Sequence, residues 1–326
     1  MDLRRLHLLV ELSRLGSMRA VAETHGLTTS TVSQQIAALA REAGTSLVEP
    51  DGRRVRLTPA GRRLADHAVT ILAGVDAARA DLDPHAEPTG TLRVGGFATA
   101  IRTSLLPVMA ELEHSHPAVR VLALEQEPLE AYALLAGDQL DLALTYDYNL
   151  APAPPDSSMA AVPLWTTAWG LGVPAEARAA SPVRDLAVWS DHDWIVNSRN
   201  TADERAVRTL ASLAGFAPRI THRIDSLDLV EDLVVAGHGI GLLPVERTTG
   251  PGVRLLELTD PPVLMTAYAV TRLGRERWAP LRLLLDRLAV SAGRRGGADR
   301  PVVRGGPPDS GTGKVGLDGG RAAAAR

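Results

Sequence analysis

Cysteine is absent from all 326 residues, which removes disulfides, thiolate catalysis and Cys-ligated zinc together. Lysine is almost absent as well. Lys314 is the only one, so the basic charge is carried by arginine. No uninterrupted apolar run reaches the ~20 residues that a membrane span needs. The first residues lead directly into a mixed-charge amphipathic stretch without the apolar segment of a signal peptide, so a cytoplasmic protein is expected. There is no G-x-S-x-G elbow, no phosphate-binding P-loop and no H-E-x-x-H pair, and a non-enzyme without cofactor or metal is expected. His114-Ser115-His116 and Asp191-His192-Asp193 could supply metal ligands in principle, but each reads as a loop or helix end, where surface histidines are the simpler account.

What is present is an asymmetry of charge. The net charge is -3, yet residues 1–65 carry ten arginines against six acidic residues. Residues 91–290 reverse the balance, with 17 basic against 24 acidic side chains. A basic front ahead of an acidic body suits a protein that touches phosphate at one end.

The front is strongly patterned. Leu3, Leu6, Val10 and Ser13, flanked by Leu9 and Leu12, recur at helical spacing, and Gly16 closes that helix. Ser17 is a good cap for a short helix, Met18 to His25, with Ala20 and Val21 turned inward. Gly26 suits a turn that needs positive φ, and Leu27 is expected to plug it. Thr28 or Thr29 then caps a third helix to about Ala43. Its Val32, Ile36 and Leu39 form a buried stripe, with Ser30, Gln34, Ala37 and Arg41 on the opposite face. Short polar side chains on such a face are what entry into a DNA major groove requires. Asp51-Gly52 signals a hairpin, and Arg53 and Arg54 just past it would sit on a wing near phosphates or the minor groove. Thr58-Pro59 opens a further helix in which Leu64, Ala68, Ile71, Val75, Ala78 and Leu82 step by 4, 3, 4, 3, 4. That heptad seam predicts pairing with a second copy, and hence two-fold related DNA half-sites.

The stretches Ser17-Met18-Arg19-Ala20-Val21-Ala22, Leu27-Thr28-Thr29-Ser30-Thr31-Val32-Ser33-Gln34-Gln35-Ile36 and Val55-Arg56-Leu57-Thr58-Pro59-Ala60-Gly61 resemble the LysR-type transcriptional regulators. The resemblance extends over residues 1 to about 290. It implies a winged helix-turn-helix, a dimerising linker helix and a periplasmic-binding-protein-like effector domain of two α/β lobes. It also implies a double-stranded DNA operator, a small-molecule effector and a homodimer or homotetramer. By that match Thr29, Ser30, Ser33 and Gln34 face the bases, with Thr31 beside them. Many members carry Pro where this chain has Ser30 and Arg where it has Gln34; Arg prefers guanine and Gln adenine, so the family's base preference does not carry over at that position. An aromatic residue and an Arg usual in the family around Val48–Pro50 are missing here, which weakens one phosphate contact but not the resemblance.

The body alternates strand and helix, which predicts a mostly parallel sheet. Expected strands are Leu92–Phe97, Val119–Glu125, Leu140–Tyr146, Trp194–Asn197, Arg219–Ile224, Ile240–Leu243 and Thr266–Val270, with a last helix from Trp278 to Leu288. Two lobes joined by crossovers make a cleft that binds small molecules where strand ends meet helix starts. Thr99 lies at one such place, and Asn197, Ser198, Arg199 and Thr201 at the equivalent turn of the second lobe. Backbone N–H groups with a guanidinium there would favour an anionic effector. The competing account is that Arg199 pairs with Asp203 or Glu204 and Thr201 caps the helix. Asp225-Ser226 reads as a cap alone, and Trp165, Trp169, Trp189 and Trp194 as packing. Residues 291–326, with seven basic against three acidic side chains and almost no large apolar ones, are expected to be disordered.

The expected divisions are therefore 1–58 for DNA, 59–83 for dimerisation, 84–90 as hinge, 91–290 as effector domain and 291–326 as tail. The alternative is a solute-binding or sensor protein without sequence-specific DNA binding, which would have no use for residues 1–82.

Overall fold

The computed structural model describes residues 1–51, 54–82, 87–153, 156–178, 180–199 and 201–296. Helix α1 (Leu3–Leu15) starts where the Asp2 carboxylate accepts from the Arg4 N–H at 2.7 Å and ends at Gly16 with φ +63°. Its buried stripe is Leu6, Leu8, Leu9 and Leu12, with Leu3 exposed, because α1 packs on helix α4 as well as on its two neighbours. Helix α2 (Met18–His25) is capped by Ser17 and buries Val21 and Ala22, with Ala20 only half-buried. The turn after it is closed by backbone, the Leu27 N–H donating to the Ala22 carbonyl at 2.8 Å, while Gly26 takes φ +63°. The Leu27 side chain is consequently 40% exposed and plugs nothing, contrary to expectation.

Helix α3 (Thr29–Ala43) buries Val32, Ile36 and Leu39 completely against α1 and α2. Strands β1 (Val48–Asp51) and β2 (Arg54–Leu57) form the antiparallel hairpin that Asp51-Gly52 signalled. Helix α4 (Pro59–Leu82) follows, with the Thr58 hydroxyl accepting from the Gly61 N–H at 3.0 Å and donating to the Ser46 carbonyl at 2.7 Å. At Gly61 a Cβ would lie 2.0 Å from the Leu47 carbonyl oxygen, so only glycine lets α4 begin this close to the chain entering β1.

The second domain is built on one nine-stranded sheet. Its elements are β3 (Gly90–Gly96), β4 (Val119–Glu125), β5 (Leu142–Tyr148), β6 (Met159–Pro174), β7 (Asp193–Val196), β8 (Arg219–Arg223), β9 (Ile240–Pro244), β10 (Val253–Leu256) and β11 (Val263–Arg272). The order is β4-β3-β5-β11-β6-β9-β7-β8, with β10 also on β6. Parallel pairing is confined to two triplets, β4-β3-β5 and β9-β7-β8. The long strands β11 and β6 run antiparallel between them and join the two lobes. The expectation of a mostly parallel sheet is thus corrected to a mixed one. A strand paired on both sides reads as a continuous apolar run and does not disclose its direction.

Helices cover the triplets. Helix α5 (Ala98–Ala100) passes through a π-helical turn (Ile101–Leu105) into α6 (Leu106–Ser115), and α7 (Pro128–Ala136) completes lobe one. Helices α8 (Ala202–Leu213) and α9 (Leu227–Val235) cover lobe two. Helix α10 (Ala279–Gly296) returns to lobe one, burying Leu281, Leu284 and Leu288. It continues past Ser291, so the tail begins later than expected, and residues 297–326 lie outside the described residues. One apolar core runs from Leu92 and Val94 through Tyr148 and Trp169 to Trp194 and Leu242, spanning both lobes.

Candidate functional site: a reading helix and a closed cleft

The start of α3 is set by three hydroxyls. Thr28 Oγ1 accepts from the Thr31 N–H at 3.1 Å and lies 2.8 Å from both Ser30 Oγ and Thr31 Oγ1. Ser30 and Gln34 are exposed on the face opposite the Val32–Ile36–Leu39 stripe, with Ser33 exposed at its side and Thr29 exposed in the first turn, while Thr31 is half-buried and belongs to the cap. The neighbouring Gln35 is already engaged, accepting from Arg5 Nε at 2.9 Å. Of the two wing arginines, Arg53 lies outside the described residues, and Arg54 is placed in β2 by its backbone alone.

Helix α4 divides the expected heptad seam. Ala68 is fully buried and Leu64 packs beside it in the core shared with α1. Ile71 and Leu82 are 43% and 86% exposed, and Ala78 is exposed with them. Only the C-terminal part of the seam is left for a partner. The same helix touches the second domain, where Arg272 Nη2 pairs with Asp66 at 2.7 Å and the Thr70 hydroxyl donates to the Leu273 carbonyl at 3.2 Å.

The two parallel triplets point their C-terminal ends at each other. Beyond β4 and before α7 lies Glu127, beyond β7 lie Asn197 to Arg199, and beyond β8 lies Asp225. These groups close the cleft. Glu127 Oε2 accepts from the Tyr146 hydroxyl at 3.0 Å and from Asn197 Nδ2 at 3.4 Å, and Asn197 Nδ2 is also 3.3 Å from the Tyr146 oxygen. Arg199 holds both lobes: it reaches Asp225 at 2.9 Å within its own lobe, and Glu125, Glu130 and Glu127 at 3.3, 3.5 and 3.9 Å across the cleft.

Those contacts overturn two sequence-based readings. Arg199 pairs with neither Asp203 nor Glu204. Asp203 instead accepts from the Asn197 N–H at 2.9 Å, and Glu204 binds Arg208 and Arg223. Thr201 makes no side-chain cap on α8. The basis for an anionic effector also disappears. The Ser198 and Arg199 N–H groups already donate to Asp225 Oδ1 at 2.8 and 3.2 Å, and four carboxylates surround the guanidinium. Asp225 is likewise more than the opening of α9, which Ser226 caps by itself. Burial pushes its carboxyl up, but the donors on Ser198 and Arg199 prevail and hold it below the ordinary value.

Beneath the bridge lies a cavity of about 30 Å³ lined by Tyr146, Tyr148, Trp169, Asn197, Asp203 and apolar side chains of β7, α9 and β9. Trp169 and Tyr148 meet edge to face at 5.5 Å, and Tyr148 meets Tyr146 in the same way at 6.0 Å. Burial raises the Asp203 carboxyl to about 7, with Glu127 and Glu204 adding to the effect against the Asn197 N–H. Burial likewise pushes the Tyr148 phenol well above its usual value. Thr99 is half-buried in α5, just after β3, and does not line this cavity. Sequence reasoning missed Glu125, Glu127, Glu130, Tyr146, Tyr148 and Asp203. The same strand-end rule that picked Asn197 would have found Glu125 and Tyr146 had it been applied to β4 and β5. Among the described residues, no three His, Asp or Glu side chains gather in a metal-holding group.

A three-helix head with a hairpin wing, a projecting linker helix and a two-lobed sensor with a cleft define a ligand-responsive DNA-binding protein. Residues 3–62 match the bacterial regulatory helix-turn-helix protein, lysR family, and residues 85–292 the LysR substrate binding domain. The chain belongs to the LysR family of transcriptional regulators, whose members bind DNA operators and small-molecule effectors and form oligomers. It is similar to the transcriptional dual regulator GltC of Bacillus subtilis, with 29% identity over 249 residues, covering 75% of this chain and 81% of the relative. It is similar also to the DNA-binding transcriptional dual regulator OxyR of Escherichia coli, with 29% identity over 300 residues, covering 89% and 94%. In fold it resembles a full-length OxyR variant from Pseudomonas aeruginosa, with TM-score 0.69 and 19% identity over 90% of this chain and 94% of that one. Full-length BenM gives TM-score 0.53 and 22% identity over 91% and 98%. No helix among the described residues is long and apolar enough to cross a membrane.

Proposed function

We propose that Thr29, Ser30, Ser33 and Gln34 read base edges from the exposed face of α3, with Arg53 and Arg54 contacting the DNA backbone from the wing. The observation that carries this reading is a fully buried apolar stripe backed by a wholly exposed face of short polar groups on a capped helix. In this reading residues 1–58 form the reading head, 59–83 the pairing helix, 84–90 the hinge and 91–290 the sensor. Ile71, Val75, Ala78 and Leu82 pair two copies so that two heads meet two half-sites. The protein acts in the cytoplasm and catalyses no reaction.

The effector enters between the lobes, at Asn197, Ser198 and Arg199. Strand β5, which carries Tyr146 and Tyr148, pairs residue for residue with β11 at Ala267 and Met265. Strand β11 ends at Arg272, which holds Asp66 of α4. Opening or closing of the cleft therefore reaches the linker helix through one strand. An effector drives this only by binding the two conformations unequally. Several relatives are named hydrogen peroxide-inducible genes activators; this chain has no cysteine, so a response through a thiol is not open to it.

Operator titration by fluorescence anisotropy tests both halves. Gln34→Ala is expected to relax base preference at one position while the fold is kept. Arg199→Ala is expected to abolish the effector response while operator binding survives. Equal loss of affinity on every DNA sequence for the first variant, or a retained response in the second, overturns the corresponding assignment.

A further inference from the structure

We propose that the inner end of the cleft is a subsite for a protonated primary amine, which the Asp203 carboxylate holds against the rings of Tyr148 and Trp169. This deepens the reading of the cleft as the effector site and rests on it.

The cavity lining contains two aspartates, Asp203 and Asp225, and no lysine, arginine or histidine. Asp203 Oδ2 accepts from the Asn197 N–H, but Oδ1 is closed off from solvent and has no hydrogen-bond partner. A buried carboxylate oxygen without a donor is costly, and an incoming N–H⁺ group relieves that cost directly. The walls suit the same guest. Tyr146, Tyr148 and Trp169 stand edge to face around the cavity, and indole and phenol faces attract a desolvated cation. An anion would meet the Asp203 carboxyl with no cation among the lining residues to balance it, since the Arg199 guanidinium beyond the lining is already paired with Asp225 and three glutamates.

Size narrows the class. About 30 Å³ accommodates one or two water-sized centres, which fits an –NH₃⁺ head with its first carbon and excludes a trimethylammonium group in this closed form. The Trp169 Nε1–H is also buried without an acceptor. A water carried in with the amine, or a hydroxyl on the same ligand, accepts from it. The rest of the ligand then lies toward Asn197 and Asp225, under the Arg199 bridge, so occupancy bears on the contacts that join the lobes.

The charge state of Asp203 gives the subsite a pH signature. The groups facing it are Glu127 before α7, Glu204 on its own helix, Tyr148 on β5 and the Asn197 N–H after β7. With its carboxyl raised to about 7, amine affinity should rise about tenfold per pH unit below that value and level off above it.

The full-length protein is titrated at constant ionic strength with ethylammonium chloride, ethanol and sodium acetate, reading tryptophan fluorescence and melting temperature. A three-heavy-atom probe is expected to bind in the millimolar range. Saturable binding of ethylammonium alone, rising from pH 6 to pH 8 and weakened at least tenfold in Asp203→Asn, supports the proposal. Operator binding by Asp203→Asn serves to show that the variant is folded. Saturation by acetate or ethanol as tight as by ethylammonium overturns the amine class while leaving the cleft as effector site. No binding by any of the three probes, in a folded protein, means the cavity holds water only and also overturns it. An ethylammonium response unchanged in both Asp203→Asn and Arg199→Ala places binding elsewhere and overturns the cleft reading itself.

Discussion

The reading face of α3 and the cleft between the lobes are both polar, but they are made in opposite ways. The face comes from one helix: Ser30, Ser33 and Gln34 are within about one turn of each other, and their polar groups stay in water. The cleft is assembled from segments far apart in sequence, with Arg199 meeting Glu125 across 74 residues and Asp225 across 26. Its carboxylates are partly withdrawn from solvent, and Asp203 is raised to about 7 as a result. Polar groups in water cost the fold almost nothing, whereas polar groups in a cleft are tied to its stability. Substitutions should therefore separate the two regions, affecting recognition alone in the first and stability together with recognition in the second.

The largest effect is expected at Asp203. Its folded carboxyl keeps a proton up to about pH 7, while the unfolded one ionises near 3.8, so between those values the folded state holds the extra proton. Stability then falls as pH rises through that window and is flat above it, by roughly 4 kcal/mol in total. Asp203→Asn should remove the slope, leaving the variant more stable than the parent at pH 8 and near parity at pH 4. Urea denaturation at a series of pH values checks this, and an unchanged slope would show that the carboxyl is not buried as described.

Next comes Arg93→Ala. The guanidinium donates to Asp141 at 2.9 and 3.0 Å, and Asp141 is only 2% exposed. Burial alone would raise the Asp141 carboxyl, but Arg93 and Arg275 hold it below its ordinary value. Stripping one partner from a buried charge costs about 3 kcal/mol, here moderated by Arg275 at 3.1 Å. The matching change on α3, Ser33→Ala, should stay within about 0.5 kcal/mol. The Arg93–Asp141 pair sits at the start of β5, at the far end of the strand from the cleft. Comparable losses in the two variants would contradict the rule on which the comparison rests, that buried charge is tied to stability and an exposed hydroxyl is not.

Recognition inverts the ranking. Gln34→Ala should leave the denaturation midpoint unchanged while costing about 1–3 kcal/mol of discrimination at one base pair, measured on operators varied one position at a time.

How much of this was legible in the sequence follows from the same contrast. The α3 face needed only helical periodicity, a local property, and the caps at Ser17, Thr28 and Thr58 are likewise read within a few residues. Strand β4 matched its expected limits, Val119–Glu125, because Pro117 and Pro128 bracket it. The long strand β6 was not legible, since small residues and Pro163 blur its alternation and its pairing direction depends on β9 and β11. In the cleft, Arg199 and Asn197 were visible as a polar turn after a strand. What they bind was not, because Glu125, Glu127, Glu130 and Asp225 come from other turns that only the sheet order brings together. The anionic preference inferred from Arg199 lost its basis for that reason: a guanidinium shows its own charge in the sequence but not the four carboxylates around it.

The smallest effect concerns the arginines of the reading head, and here the structure sharpens what composition left even. Ten arginines precede residue 66, and among the described residues five of them are engaged within the fold. Arg5 holds Gln35 and Glu42, Arg14 holds Glu11, Arg19 holds Glu23, Arg56 holds Glu49, and Arg62 donates to the Leu57 carbonyl. A charge already balanced by a neighbouring carboxylate displaces fewer counterions from DNA than one that meets phosphate alone. Removing one arginine from its phosphate should lower the slope of log affinity against log salt by about 0.9, which is about fivefold in affinity at ~0.15 M salt. Arg53→Ala and Arg54→Ala are each expected to show that change on specific and non-specific DNA alike, and Arg56→Ala a smaller one. Equal slopes for all three variants would mean that the pairing of Arg56 with Glu49 does not survive on DNA, and that the wing acts through its summed charge rather than through Arg53 and Arg54 in particular.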